Sequence, residues 1–269
     1  MAADMAVKAK APPPVVVAWT GCYVGANGGG MWGYDRFSFR QGGDFLNPVN
    51  LFANPTNNAL TAHSYRPDNA TGTGGVQVGC NWQASSWVFG LEADINGAGS
   101  LNSTTNFGPI GPFVGGGGGL MAPHTEDVSK QLTWYSTIRG RIGFTPTANL
   151  LLYATGGAAI ADVKSSATLT FAPGQFFLSD TQYVGSARET RFGYAVGAGA
   201  EWKFAPNWSV KGEYLFLDLG DINYNARCVS GVGCGPGTNF LWTTNVKVQE
   251  HVGRVGVNYH FGGPVVAKY

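Results

Sequence analysis

Trp87-Val88-Phe89-Gly90-Leu91-Glu92-Ala93-Asp94-Ile95-Asn96 sorts its residues by parity. Trp87, Phe89, Leu91, Ala93 and Ile95 take one side of an extended chain, and Val88, Gly90, Glu92, Asp94 and Asn96 take the other. Successive side chains alternate across a strand, whereas a helix would mix the two sets around its axis, so the stretch is a β-strand with one apolar and one polar face. The parity recurs. Phe192, Tyr194, Val196, Ala198, Ala200, Trp202 and Phe204 oppose Arg191, Gly193, Gly197, Gly199, Glu201 and Lys203. Trp134, Ile138, Ile142 and Phe144 oppose Tyr135, Thr137, Arg139 and Arg141, and Trp208, Val210, Tyr214 and Phe216 oppose Lys211 and Glu213. Val255, Val257, Tyr259 and Phe261 oppose Arg254, Asn258 and His260.

Eight segments carry this reading, at 19–32, 74–83, 87–96, 132–144, 150–162, 190–204, 208–218 and 246–261. The fifth is too uniformly apolar for its faces to be assigned. Short turns at 84–86, 145–149 and 205–207 alternate with long Gly/Asn/Thr-rich loops at 33–73, 97–131, 163–189 and 219–245. All the long loops fall at one end. Unstructured connections beyond about 12–15 residues are unusual in a compact soluble domain, but short periplasmic turns and longer extracellular loops are what an outer-membrane barrel has.

Composition agrees. Charged residues make up 12% of the 269-residue chain and Gly contributes 41 residues, against roughly 25% and 7% in ordinary soluble domains. The longest fully apolar run, Val15 to Trp19, is far short of the roughly 20 residues of a spanning helix. A closed barrel is the other way to satisfy backbone polar groups in lipid. With 44% hydrophobic and 13% aromatic residues the chain is not disordered, and a net charge of +1 without a basic stripe excludes nucleic acid as a partner. Ala2-Ala3 before Asp4 suits the remnant of a signal-peptidase site, and Pro12-Pro13-Pro14 marks 1–18 as an extended periplasmic arm. Residues 19–261 form the expected barrel, and 262–269 a short extension.

Two features set the apolar face toward lipid. Large aromatics gather at strand ends: Trp19, Trp82, Trp87, Phe144, Trp202, Phe204, Trp208, Tyr259 and Phe261 beside the short turns or chain ends, and Trp32, Trp134, Phe192 and Phe216 toward the long loops. These are expected as membrane-interface girdles. Twelve residue steps separate Phe192 from Phe204, which at ~3.3 Å each and a ~40° tilt is roughly 30 Å, a bilayer's apolar thickness. On the opposite face Glu92, Asp94, Glu201 and Glu213 nearly balance Arg139, Arg141, Lys203, Lys211 and Arg254. A narrow lumen requires such pairing, because an unpaired buried charge is costly. Inward glycines, among them Gly25, Gly90 and Gly199, leave room for long charged side chains.

On these residues the chain resembles the small eight-stranded outer-membrane β-barrels of Gram-negative bacteria, the outer-membrane protein A-like barrels and alphaproteobacterial porin-family surface proteins. The likeness is carried by Gly21-Cys22-Tyr23-Val24-Gly25-Ala26-Asn27-Gly28-Gly29, Trp87 to Ile95, Leu152 to Gly157 and Arg254 to Phe261. It implies an all-β, closed antiparallel up-and-down transmembrane barrel in the outer membrane, contacting outer-membrane lipid and lipopolysaccharide and inserted by the barrel-assembly machinery. The strand ending at Phe261 is followed by eight more residues, a departure from a terminal assembly signal. Some relatives are implicated in haem binding, which would make His63 or His124 the candidates.

The remaining motifs carry no chemistry. Cys228 and Cys234, in a Gly-rich loop facing an oxidising exterior, are expected to close a small disulfide. Cys22 and Cys80 fall on the lipid-facing parity of neighbouring strands, and the sequence leaves open whether they bond or stay free thiols, the balance leaning slightly to free. His63, His124, His251 and His260 lie on different segments without ligand spacing and read as solvated residues. Gly115 to Gly119 lacks the Lys-Ser/Thr of a phosphate loop. No catalytic constellation, metal or cofactor is expected. The function expected is a non-enzymatic envelope or surface-contact barrel with a polar-filled lumen; the alternatives are a narrow pore for small solutes and an adhesin or haem-binding protein acting through its long loops. No ligand or partner beyond the envelope is named by the residues.

Overall fold

The computed structural model describes residues 18–33, 35–44, 62–66, 69–107, 124–171, 180–231 and 234–261. The expected arm, apart from Ala18, the C-terminal extension and Gly115 to Gly119 lie outside these residues. The described chain is all β, with eleven strands: β1 (Gly21–Gly33), β2 (Arg36–Gly43), β3 (His63–Tyr65), β4 (Asn69–Ala84), β5 (Trp87–Ala98), β6 (Ser100–Phe107), β7 (His124–Thr147), β8 (Leu150–Phe171), β9 (Gln182–Ala205), β10 (Trp208–Ser230) and β11 (Phe240–Phe261).

Eight of them, in the order β1-β4-β5-β7-β8-β9-β10-β11, form a ring that returns to its start through antiparallel pairing of β1 with β11. That seam runs from Cys22 opposite Phe261 to Gly33 opposite Glu250. Two-residue turns at 85–86, 148–149 and 206–207 join strands at one end.

At the other end the described residues of the expected long loops are largely strand. β7 to β11 run 22 to 24 residues each, well past the aromatic girdle, and β2, β3 and β6 add to them. β6 pairs with β7, β2 with β11, and β3 with β2. The reason is a change of solvent. On β8 the outward row reads Leu152, Ala154, Gly156, Ala158, Ile160 and then Asp162, Lys164, Ser166, Thr168, Thr170, while Val163, Ala167, Leu169 and Phe171 on the inward row are buried. Where lipid gives way to water, the outer face becomes polar and the interior becomes the apolar side.

Two bulges sit at this boundary. Thr133 on β7 is an extra residue between Leu132 and Trp134. On β10 the register shifts between Asp218 and Asp221, where Gly220 has φ +74°, a left-handed conformation that glycine adopts without a Cβ penalty. Below each bulge odd-numbered residues face inward (Arg139, Arg141; Lys211, Glu213), and above it even-numbered ones do (Val128, Lys130; Ile222, Tyr224).

Candidate functional site

The inward row of β5 delivers Glu92 and Asp94, β7 Arg139 and Arg141, β9 Glu201, β10 Lys211 and Glu213, and β11 Arg254, and all eight are buried. Four carboxylates meet four cations. The Arg139 guanidinium contacts Glu92 at 2.7 Å, Asp94 at 2.9 Å and Glu213 at 3.1 Å. Arg254 bridges Glu213 at 2.6 Å and Asp94 at 2.8 Å, and Lys211 Nζ lies 2.8 Å from both oxygens of Glu92. Arg141 pairs with Glu201 at 3.1 Å and donates to Asn81 at 2.8 Å. Tyr23 donates to Glu92 at 2.6 Å and Tyr153 to Glu213 at 3.1 Å, while Ser209 and Asn258 donate to Glu201. Charges removed from water here are neutralised and hydrogen-bonded across the ring, the condition under which buried ions are tolerated.

Glycine makes the space. A Cβ at Gly79 would lie 2.3 Å from the Tyr23 hydroxyl, and one at Gly199 2.6 Å from that of Tyr153. Each tyrosine reaches the network across a bare stretch of neighbouring backbone.

Lys203 stands apart from the network. It donates to the Ala18 carbonyl at 2.6 Å and lies 4.7 Å above the Trp19 ring. Trp19 itself corrects an expectation: it is fully buried rather than part of a girdle. Its indole packs with Val88, Leu151 and Tyr153, donates to the Ala148 carbonyl at 3.1 Å and meets His260 edge-on, stopping the short-turn mouth. The other aromatics point outward. Trp82, Trp87, Phe144, Trp202, Phe204, Trp208, Tyr259 and Phe261 are exposed around the short-turn end; at the other end Trp32 and Phe192 are exposed and Trp134 and Phe216 half-buried.

The β8 faces, unassigned from sequence, resolve with Leu151, Tyr153, Thr155, Ala159 and Ala161 inward. Above the ionic layer Lys130 is buried between Asp35 and Glu250, hydrogen-bonded to both. Around and above it the interior is a packed apolar cluster that includes Phe37, Phe39, Val128, Leu169, Phe171, Leu217, Ile222, Trp242 and Val246.

The cysteines are bonded in two pairs. Cys228–Cys234 ties the end of β10 to the chain that follows it. Cys22–Cys80 joins directly opposed residues of β1 and β4, a bond that the sequence leaves open with a slight lean the other way. The histidines also differ from expectation. His260 is buried and contacts Ser209 at 2.9 Å, and His251 stacks on Trp32 at the outer surface. His63 and His124, 61 positions apart, meet at one carboxylate: His63 Nε2 is 2.8 Å and His124 Nε2 3.3 Å from Glu126 Oε1. Burial works against the Glu126 charge, but hydrogen bonds and positive charge from His124 and His63 outweigh it and hold the carboxyl below the usual carboxylate range. Glu126 lies well above the girdle. Sequence spacing gave no sign of it, because the first His comes from β3 and the other two residues from β7.

The sequence that builds this ring, with its aromatic-banded exterior and ion-paired interior, has known relatives. The profile of the outer membrane protein beta-barrel domain family covers residues 2–261. The chain belongs to this family. A 31 kDa outer-membrane immunogenic protein of Brucella melitensis is 34% identical, over 97% of this chain and 93% of its own length. A 22 kDa outer membrane protein of Rhizobium leguminosarum is 28% identical over 80% of this chain and 72% of its own length. The crystal structure of the outer membrane protein OprG from Pseudomonas aeruginosa covers 92% of this chain and 100% of that one, at 12% identity and a TM-score of 0.43. The protein is thus an outer-membrane β-barrel, and it contacts outer-membrane lipid.

Proposed function

We propose that this barrel is a non-enzymatic component of the envelope whose lumen is closed to solutes and whose outward business is done by its long, strand-built extracellular half. The observation that carries the reading is the filled interior: Trp19 at one mouth, the ion-paired layer from Arg141 to Arg254 in the middle, and the apolar cluster above it. An eight-stranded ring is just wide enough for its own side chains. The lumenal carboxylates are each held by cations or hydrogen-bond donors, which suits a structural role better than proton transfer.

The exposed aromatics serve as interface girdles, with the short turns toward the periplasm and the extended strands outside the cell. The Brucella relative's name, an immunogenic protein, is in keeping with an exposed outer half. Lipopolysaccharide contact and insertion by the assembly machinery belong to the same reading. Planar-bilayer recording tests it: the purified protein should give no reproducible unitary conductance, and steady single-channel steps would establish the rival narrow pore.

A further inference from the structure

We propose that His63, His124 and Glu126 form a binding site for a divalent transition-metal ion of the zinc class, which clasps the open seam of the extracellular sheet.

The donor set comes first. Two imidazole nitrogens and a carboxylate oxygen all lie within 4.8 Å of one another, and the two nitrogens stand 2.8 and 3.3 Å from the oxygen. Ligands about 2.0–2.1 Å from a tetrahedral zinc ion are about 3.3 Å apart, so small side-chain adjustments would seat an ion. Imidazole with carboxylate suits zinc, copper, nickel or ferrous iron, whereas calcium and magnesium want more oxygens.

A second observation points to a ligand. Glu126 is fully buried, and while both histidines converge on its Oε1, its Oε2 has no hydrogen-bond partner among the described residues. An unsatisfied carboxylate oxygen in the interior is expensive, and an ion in the cluster would engage it. The rings are pre-set. Phe39 stacks on His63 at 5.4 Å and Phe171 on His124 at 5.2 Å. His124 is sealed and His63 Nε2 faces Glu126, so axial ligation of a haem would require the cluster to open first.

Position gives the site its consequence. Above the girdle the wall runs β6-β7-β8-β9-β10-β11-β2-β3, and β3 and β6 each have a ladder partner on one side alone among the described residues. His63 reaches from edge strand β3 to Glu126 of β7, the strand beside β6. An ion held there ties the two sides of the gap.

The test uses the untagged full-length protein, refolded in detergent and stripped with chelator, then titrated with Zn2+ alone by calorimetry. One ion per chain is expected, and His63→Ala, His124→Ala or Glu126→Gln should each weaken binding at least tenfold while His251→Ala leaves it unchanged. Each variant is checked for folding by its heat-dependent gel mobility. No saturable binding, or binding indifferent to all three substitutions, overturns the proposal. Should those variants fail to fold, Co2+ in the wild-type protein decides: intense visible bands of four- or five-coordinate cobalt support the site, and the weak bands of octahedral cobalt overturn it.

Discussion

The interior of the ring changes character at the level of Trp32. Below it, eight charged side chains interlock with tyrosine, serine and asparagine; above it, Phe39, Leu217, Ile222 and Val246 pack as in a soluble core. The outer faces are inverted in the same sense, Ile138 and Val255 exposed to lipid below, Asn245 and Lys247 set outward above. The lower part is held by polar groups that find their partners inside, because lipid offers none. The upper part is held by the hydrophobic effect, because water is outside. One strand serves both regimes by changing which row is apolar.

The difference can be broken most sharply at Arg139. Arg139→Met strands three carboxylates, Glu92, Asp94 and Glu213, and should destabilise the barrel by about 3–5 kcal/mol in urea titrations in lipid vesicles. Placing one charge on each outer face sharpens the contrast. Ile138→Lys, at a side chain 66% exposed to lipid, should cost about 2–4 kcal/mol near the midplane; Asn245→Lys, above the girdle, should cost less than about 0.5 kcal/mol. Truncating the apolar interior should act locally: Ile222→Val should cost about 1 kcal/mol, seen as faster amide exchange in the upper strands with β4 and β5 unchanged.

The smallest effect is one of pH. Because the folded state holds the Glu126 carboxyl below its ordinary range, its contribution is present above the ordinary carboxylate pKa of about 4.5 and is lost as pH falls through the lowered value. The protection factors of the Ser64 and Tyr65 amides, which take out the intrinsic slowing of exchange in acid, should therefore fall on acidification, and Glu126→Gln should remove that dependence.

The lower half was legible because lipid outside and charge inside leave strict alternation, as from Trp87 to Asn96. β8 was opaque: Leu151, Ala159 and Ala161 face inward yet are as apolar as the outward row. The upper strands read as loops because their outward Ser, Thr and Asn resemble loop composition, and their apolar residues sit on the row that lower down is polar. Trp19 reads as a girdle residue from its place beside a turn, although counting back by twos from Tyr23 puts it inside. The His63–His124–Glu126 cluster had no local signal, being assembled by β3 and β7 across the fold.

The bulge at Thr133 gives β7 something like a reading frame. Straightening that bulge with Thr133 kept would run unbroken alternation through the strand and turn Val128, Lys130 and Leu132 outward while Arg139 and Arg141 stayed in place. The composition of the strand would not change, but its extracellular end would be inside out.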